Sequence, residues 1–195
     1  MDDGYIKFRL EWKRKALDID IDELNLWRKR LYDLGLIGAY ENGIGFGNIS
    51  TRIKDTNEFI ISGTETGKIK ALGPEHYTRV TGFDFDKNTL ICEGPIKASS
   101  ESMTHAAIYS ADKNVNAVIH VHNRKLWDTL KDKVPCTSND VQYGTPEMAY
   151  EVISLFKKRK VQGKKLFVML GHVEGIVSFG NTLMDATKRL IEKSD

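Results

Sequence analysis

Apolar residues recur at helical spacing in Leu24, Trp27, Leu31 and Leu34. This predicts a helix over about 22–32, with Asp22 as N-cap and Gly35 just past its end. A glycine-rich segment, 41–48, follows. Short runs at 49–53, 58–62 and 78–83 predict strands. Turn signals at Gly63, Gly67, Gly73-Pro74 and Asp86-Lys87-Asn88 separate them. A helix starts near Ser100 or Glu101 and runs to about Asp112. The β-branched content of Ala117-Val118-Ile119-His120-Val121-His122 predicts a strand. Thr145-Pro146-Glu147 opens another helix, with Thr as N-cap and Pro in the first helical position. Strands are predicted over 165–170 and 175–179, and a closing helix over 182–193. Helices at both ends and in the middle, with short strands between, predict one α/β layered domain over 1–195, not a regular βαβ array.

Composition narrows the class. A chain of 195 residues, 41% hydrophobic and 29% charged, reads as an ordinary soluble globular domain with a sizeable core. A net charge of +2 gives no global electrostatic case for nucleic acid or a membrane surface. The run Lys157-Lys158-Arg159-Lys160 closes a predicted helix, where cations complement the helix dipole. No apolar run is long enough to span a bilayer. The N-terminal MDDGYIKFRLEWKRK has no apolar signal core, so the expected compartment is the cytoplasm. Cys92 and Cys136 stand far apart without CxxC spacing, and in a reducing compartment they are expected to be two free thiols.

Three of the five histidines suggest chemistry. His120 and His122 are two apart in a predicted strand, so their side chains point to the same face. His172 follows directly after a predicted strand. Three imidazoles with an open position are the arrangement of catalytic zinc, whereas structural zinc usually has four protein ligands, often thiolates. The plain alternative is a chance His-x-His on a half-buried strand. His76 and His105 have no such company and read as structural.

Three segments could hold an anion. Ser99-Ser100-Glu101 precedes a helix, where hydroxyls and free N–H groups favour phosphate. The plain alternative there is a serine N-cap and a first-turn glutamate. Gly47-Asn48-Ile49-Ser50 is a second candidate. The third is Ser62-Gly63-Thr64-Glu65-Thr66-Gly67, a hydroxyl- and glycine-rich turn of the kind whose backbone can cradle phosphate or simply turn a hairpin. None matches a nucleotide-binding loop, so the expected ligand is a small phosphorylated metabolite.

Taken in order, these segments resemble the class II aldolase/adducin family. The matching stretches are Gly47-Asn48-Ile49-Ser50, the turn at 62–67, Ala98-Ser99-Ser100-Glu101 followed by His105, the strand ending at His122, Tyr143-Gly144-Thr145-Pro146-Glu147, and Gly171-His172 with Phe179-Gly180-Asn181-Thr182-Leu183. The resemblance implies an α/β/α layered fold with a mainly antiparallel sheet flanked by helices, often in homotetramers. It implies His120, His122 and His172 as ligands of one Zn2+ or another divalent metal. Glu101 becomes the acid–base group. Asn48, Ser99 and Ser100 would hold a sugar phosphate, together with Ser62-Gly63 or Thr66-Gly67. The implied activity is a lyase that cleaves or forms a C–C bond of a small ketose phosphate through a metal-stabilised enediolate. A 4-epimerase or dehydratase on a pentulose phosphate is the alternative enzyme, and an adducin-like interaction module the non-enzyme. The chain departs from the family pattern in places. Ala98 stands where proline is usual. His172 is followed by Val173-Glu174-Gly175, two residues longer than usual. Aldolases of the family use a tyrosine in a C-terminal tail, and no tyrosine follows Tyr150. Asp140 takes the place of a second aldolase tyrosine, as in the 4-epimerase, and is a possible accessory residue.

Overall fold

The computed structural model of the protein describes residues 4–194. In chain order its strands begin with β1 (Arg9–Arg14), β2 (Gly38–Ala39), β3 (Gly45–Phe46), β4 (Asn48–Arg52) and β5 (Phe59–Ser62). They continue with β6 (Tyr77–Asp84), β7 (Thr89–Gly94), β8 (Ala117–His122), β9 (Cys136–Thr137), β10 (Leu166–Met169) and β11 (Gly175–Gly180). The helices are α1 (Asp22–Asp33), α2 (Ser102–Ala111), α3 (Arg124–Leu130), α4 (Pro146–Lys157) and α5 (Leu183–Ser194). Among the described residues, nine strands form one sheet in the order β1-β7-β6-β5-β4-β8-β11-β10-β9, and β2 with β3 forms a separate ribbon. Only the two outermost pairings, β1 with β7 and β9 with β10, are parallel.

Strand alternation sorts the side chains into two cores. On β8, Ala117, Ile119 and Val121 join the core closed by α1, α3 and α5, while Val118 joins the core under α2 and α4. On β10 the split is Leu166 and Val168 against Phe167 and Met169, and on β11 it is Ile176 against Val177 and Phe179. Each buried Val, Leu, Ile, Phe or Met side chain here is worth roughly 1.5–3 kcal/mol. Helices this short hold through such packing, not through their own propensity. The result is the expected α/β/α arrangement. His120 and His122 continue the Val118 face, as a period of two requires.

The structure revises several local expectations. Asp22 is the first helical residue and not the cap: Ile21 holds that position, and the Asp22 N–H donates to Asp20 Oδ1 at 2.9 Å. Leu34 is 51% exposed, while Arg28 is 1% exposed and fills the buried face of α1 between Leu24 and Leu31. Strands β1 and β7 and helix α3 had no predicted counterpart. β1 alternates exposed Arg9, Glu11 and Lys13 with Leu10 and Trp12, which pack on the core; charges suit a strand at a sheet edge. The signal for α3 is Asn123, whose side chain accepts from the Leu126 N–H, ahead of buried Leu126, Trp127 and Leu130. Cys92 and Cys136 are free thiols, as expected. No helix among the described residues is long and apolar enough to cross a membrane.

Candidate metal centre and its pocket

Register brings the three histidines together. On β8, His120 lies opposite Asn48 of β4 and Val177 of β11, and His122 lies opposite Gly175. His172 arrives from the turn between β10 and β11. Gly175 makes room for it: a Cβ there would sit 2.7 Å from His172 Cδ2 and 3.2 Å from His120 Cε1. The Nε2 atoms of His120 and His122 are 2.9 Å apart, and those of His122 and His172 are 3.0 Å apart.

All three rings are buried. Burial pushes His120 and His122 well below the ordinary imidazole range, and neighbouring histidines add to the effect. Burial, helped by Lys7, lowers His172 to about 3. The rings are therefore neutral near pH 7, which is the form that binds metal. A neutral imidazole has one N–H and one lone pair, so three Nε2 atoms facing one point suit a shared cation. One ligand atom from each ring lies within 4.8 Å of those of the other two, so the three residues would be able to hold one metal ion between them.

Glu101, the N-cap residue of α2, is buried beside this group. Its Oε1 lies 3.5 Å from His172 Nε2, and its Oε2 accepts from the Thr104 hydroxyl at 2.8 Å. Asn48, Gly63, Thr66, Gly67, Ser99 and Ser100 line the same pocket. The structure thus brings together most of the residues singled out in the sequence. Two stand apart. Ser62 is a strand residue whose Oγ accepts from the Ile49 N–H at 3.3 Å, and it does not line the pocket. Asp140 is exposed and also lies outside the lining.

The 62–67 turn is held from a distance. Buried Arg28 donates to the carbonyls of Thr66 at 2.9 Å, Gly67 at 3.0 Å and Lys70 at 2.9 Å, and also to that of Ile69. On its other side the turn packs backbone to backbone: a Cβ on Gly67 would meet the Gly38 carbonyl oxygen at 2.3 Å.

Sequence reasoning missed Arg28, Tyr40, Phe46 and Tyr143. Phe46 stacks on His122 with centroids 5.6 Å apart, and Tyr143 lies 4.6 Å from the His172 ring. Aromatic residues at the start of the glycine-rich run and within it were the available signal for Tyr40 and Phe46. The remaining histidines have structural partners. His105 Nδ1 is 2.7 Å from Ser50 Oγ, and burial lowers its pKa to about 3. His76 Nδ1 accepts from the Gly73 N–H at 2.9 Å.

The family model described as the Class II Aldolase and Adducin N-terminal domain matches residues 30–193. The chain belongs to this family. One relative in sequence is 3-oxo-tetronate 4-phosphate decarboxylase of Haemophilus influenzae, 29% identical over 75% of this chain and 74% of that protein. Solved structures give the same fold. An L-fuculose 1-phosphate aldolase has a TM-score of 0.67 at 18% identity, covering 92% of this chain and 82% of its own. A sugar-phosphate aldolase from Thermotoga maritima has a TM-score of 0.66 at 16% identity, covering 89% of each chain. The class II aldolase family is typically metal-dependent, and the buried histidine triad here can bind a metal.

Proposed function

We propose that this chain is a divalent-metal-dependent carbon–carbon lyase acting on a small phosphorylated ketose or 3-oxo sugar acid. One observation carries the reading: three buried Nε2 atoms and the Glu101 carboxylate meet at one end of a polar pocket that also holds a hydroxyl- and glycine-rich turn. His120, His122 and His172 would hold the metal, with zinc favoured by the ligand set. When bound, the metal supplies Lewis-acid stabilisation of negative charge developing beside the substrate carbonyl.

The chain's own residues do the rest. Ser99 and Ser100, just ahead of α2, offer hydroxyls to a phosphate where the helix N-terminus favours an anion. Asn48 and the 63–67 turn complete that cradle. The reacting carbons then lie toward the histidines and Glu101. In the cleavage step the bond from the carbon next to the carbonyl to its departing neighbour breaks. The electron pair stays on the carbonyl-bearing fragment. The departing carbon leaves as carbon dioxide, or as an aldehyde once its hydroxyl has lost a proton. Glu101 delivers a proton to the carbon that kept the pair: the one taken from the departing hydroxyl when an aldehyde leaves, or one drawn from solvent when carbon dioxide leaves.

The relative in sequence makes 3-oxo-tetronate 4-phosphate the first substrate to test. L-Fuculose 1-phosphate, named for a structural neighbour, is the second. Zinc-loaded protein is incubated with each in heavy water, and products are read by NMR and carbon dioxide capture. Metal-dependent cleavage with one deuterium at the new C–H bond is expected with one of them. Glu101→Gln should lower turnover about 100- to 10,000-fold with metal content intact. If neither substrate is cleaved and dihydroxyacetone phosphate exchanges no proton, with metal shown to be bound, the lyase reading fails. An inverted centre or lost water in a pentulose phosphate would instead give the epimerase or dehydratase.

A further inference from the structure

We infer that Tyr40 and Glu174 are positioning residues that hold His122 as its Nδ1–H tautomer and keep its Nε2 lone pair turned toward the other two histidines. The inference rests on the metal-centre reading above. The Tyr40 hydroxyl lies 2.7 Å from His122 Nδ1 and 3.0 Å from Glu174 Oε2. A phenol has one proton to give, and an ionised carboxylate can only accept. The proton therefore goes to Glu174, and the phenol oxygen accepts from Nδ1–H. Giving it to Nδ1 instead would set the phenol oxygen against carboxylate lone pairs with no proton between them. Hydrogen bonds of this kind to the outer nitrogen fix the tautomer and orientation of a ligating imidazole.

Two further observations fit. Phe46 stacks on His122, and the Tyr40 and Phe46 ring centroids are 4.7 Å apart, so the β2–β3 ribbon supplies the ring contact and the residue that follows β2 supplies the hydroxyl. Glu174 has φ +73°, a left-handed conformation that glycine adopts more easily. A side chain held there carries a backbone cost, and its carboxylate reaches Tyr40 from that position.

The test uses 15N-labelled, metal-free protein at about pH 8, with the His122 tautomer read from two-bond 1H–15N correlations. Zinc affinity is read separately by chelator competition. The parent should show Nδ1–H. Tyr40→Phe keeps the ring but loses the hydroxyl; it should show mixed tautomers and bind zinc about 10- to 100-fold more weakly. Glu174→Gln retains an acceptor for Tyr40 and should retain the tautomer. Glu174→Gly relieves the backbone, so it should melt no lower than the parent yet bind zinc more weakly. Unchanged tautomer and unchanged zinc affinity in Tyr40→Phe and Glu174→Gly would overturn the relay. A parent that binds no zinc sinks the metal reading alone, because the tautomer comparison needs no metal and still decides the relay.

Discussion

The two ends of the pocket are built by different means. At the histidine end, sheet register does the placing: β8 sets His120 and His122, β4 sets Asn48 opposite His120, and the β10–β11 connection delivers His172 over Gly175. At the other end, residues 63–67 lie between strands, and the buried guanidinium of Arg28 reaches from α1 to the carbonyls of Thr66 and Gly67 and, just beyond, of Ile69 and Lys70. Many ladder hydrogen bonds share the work at the first end. At the second, one side chain takes a large part of it. Substitution should therefore damage chemistry at the first end without unfolding it, and should damage structure at the second.

The largest effect is expected at the histidine end. His122→Ala removes one of three converging nitrogens while leaving the β8 backbone pairing untouched. Metal affinity should fall by more than the roughly 100-fold that loss of an outer partner costs, and activity should vanish with it. Circular dichroism of the metal-free variant should match the parent. A variant that keeps metal at parental affinity would break the comparison at its stronger side.

Arg28→Met tests the other end. The substitution keeps an unbranched chain in α1 but leaves the carbonyls of Thr66, Gly67, Ile69 and Lys70 without their donor. Hydrogen bonds to a charged group are worth about 1.5–3 kcal/mol each, and they do not add fully. A loss of about 3 kcal/mol is expected in denaturant unfolding. KM for the phosphorylated substrate should rise more than kcat falls if, as proposed, the turn binds the phosphate and not the reacting carbons. Parental stability and KM would show that the turn holds its own shape.

Asn48 joins the two ends, and its replacement should separate binding from stability. Its Oδ1 is buried and makes no hydrogen bond among the described residues. Asn48→Ala removes that cost, so stability should change by less than about 1 kcal/mol. The lost contact should raise KM about tenfold if Asn48 touches the phosphate. A large drop in melting temperature would make Asn48 a structural residue instead.

The parts of this design that were legible in the sequence are those fixed by local periodicity. His-x-His on a β-branched run told its own face, and Thr145-Pro146 told its own helix start: the Thr145 hydroxyl accepts from the Met148 N–H. Arg28 was illegible because a cation on a helix normally faces water, and only carbonyls some forty residues away explain its burial. Leu34 was misread for the converse reason: helical spacing is blind to where the neighbouring layer ends. Ser62 and Thr66 could not be told apart because strand alternation decides the first and a distant guanidinium the second. Strand β1 pairs with β7 some eighty residues later, so no turn signal connects them. Asp140 came from the family comparison, which carries no information about whether a side chain turns inward here.

The smallest effect concerns His105, which ties α2 to β4 beneath the histidine end through Ser50, whose Oγ is also 2.7 Å from the Tyr109 hydroxyl. Burial lowers its folded pKa to about 3, while the unfolded chain titrates near 6.5. As pH falls below about 6.5 the unfolded state takes up a proton that the folded state refuses. Stability is therefore lost with falling pH, over a window that closes near 3. Between pH 6.5 and 5.5 a single such group costs about 1 kcal/mol. The three buried histidines of the pocket add slopes of the same sign in metal-free protein, so the comparison must be made between variants. His105→Gln offers Ser50 an acceptor that does not titrate. Denaturant unfolding of both metal-free proteins at the two pH values should show the variant losing about 1 kcal/mol less than the parent. Equal losses would mean that His105 reaches water in the folded state, and that the packing beneath the strand-held end is looser than its register implies.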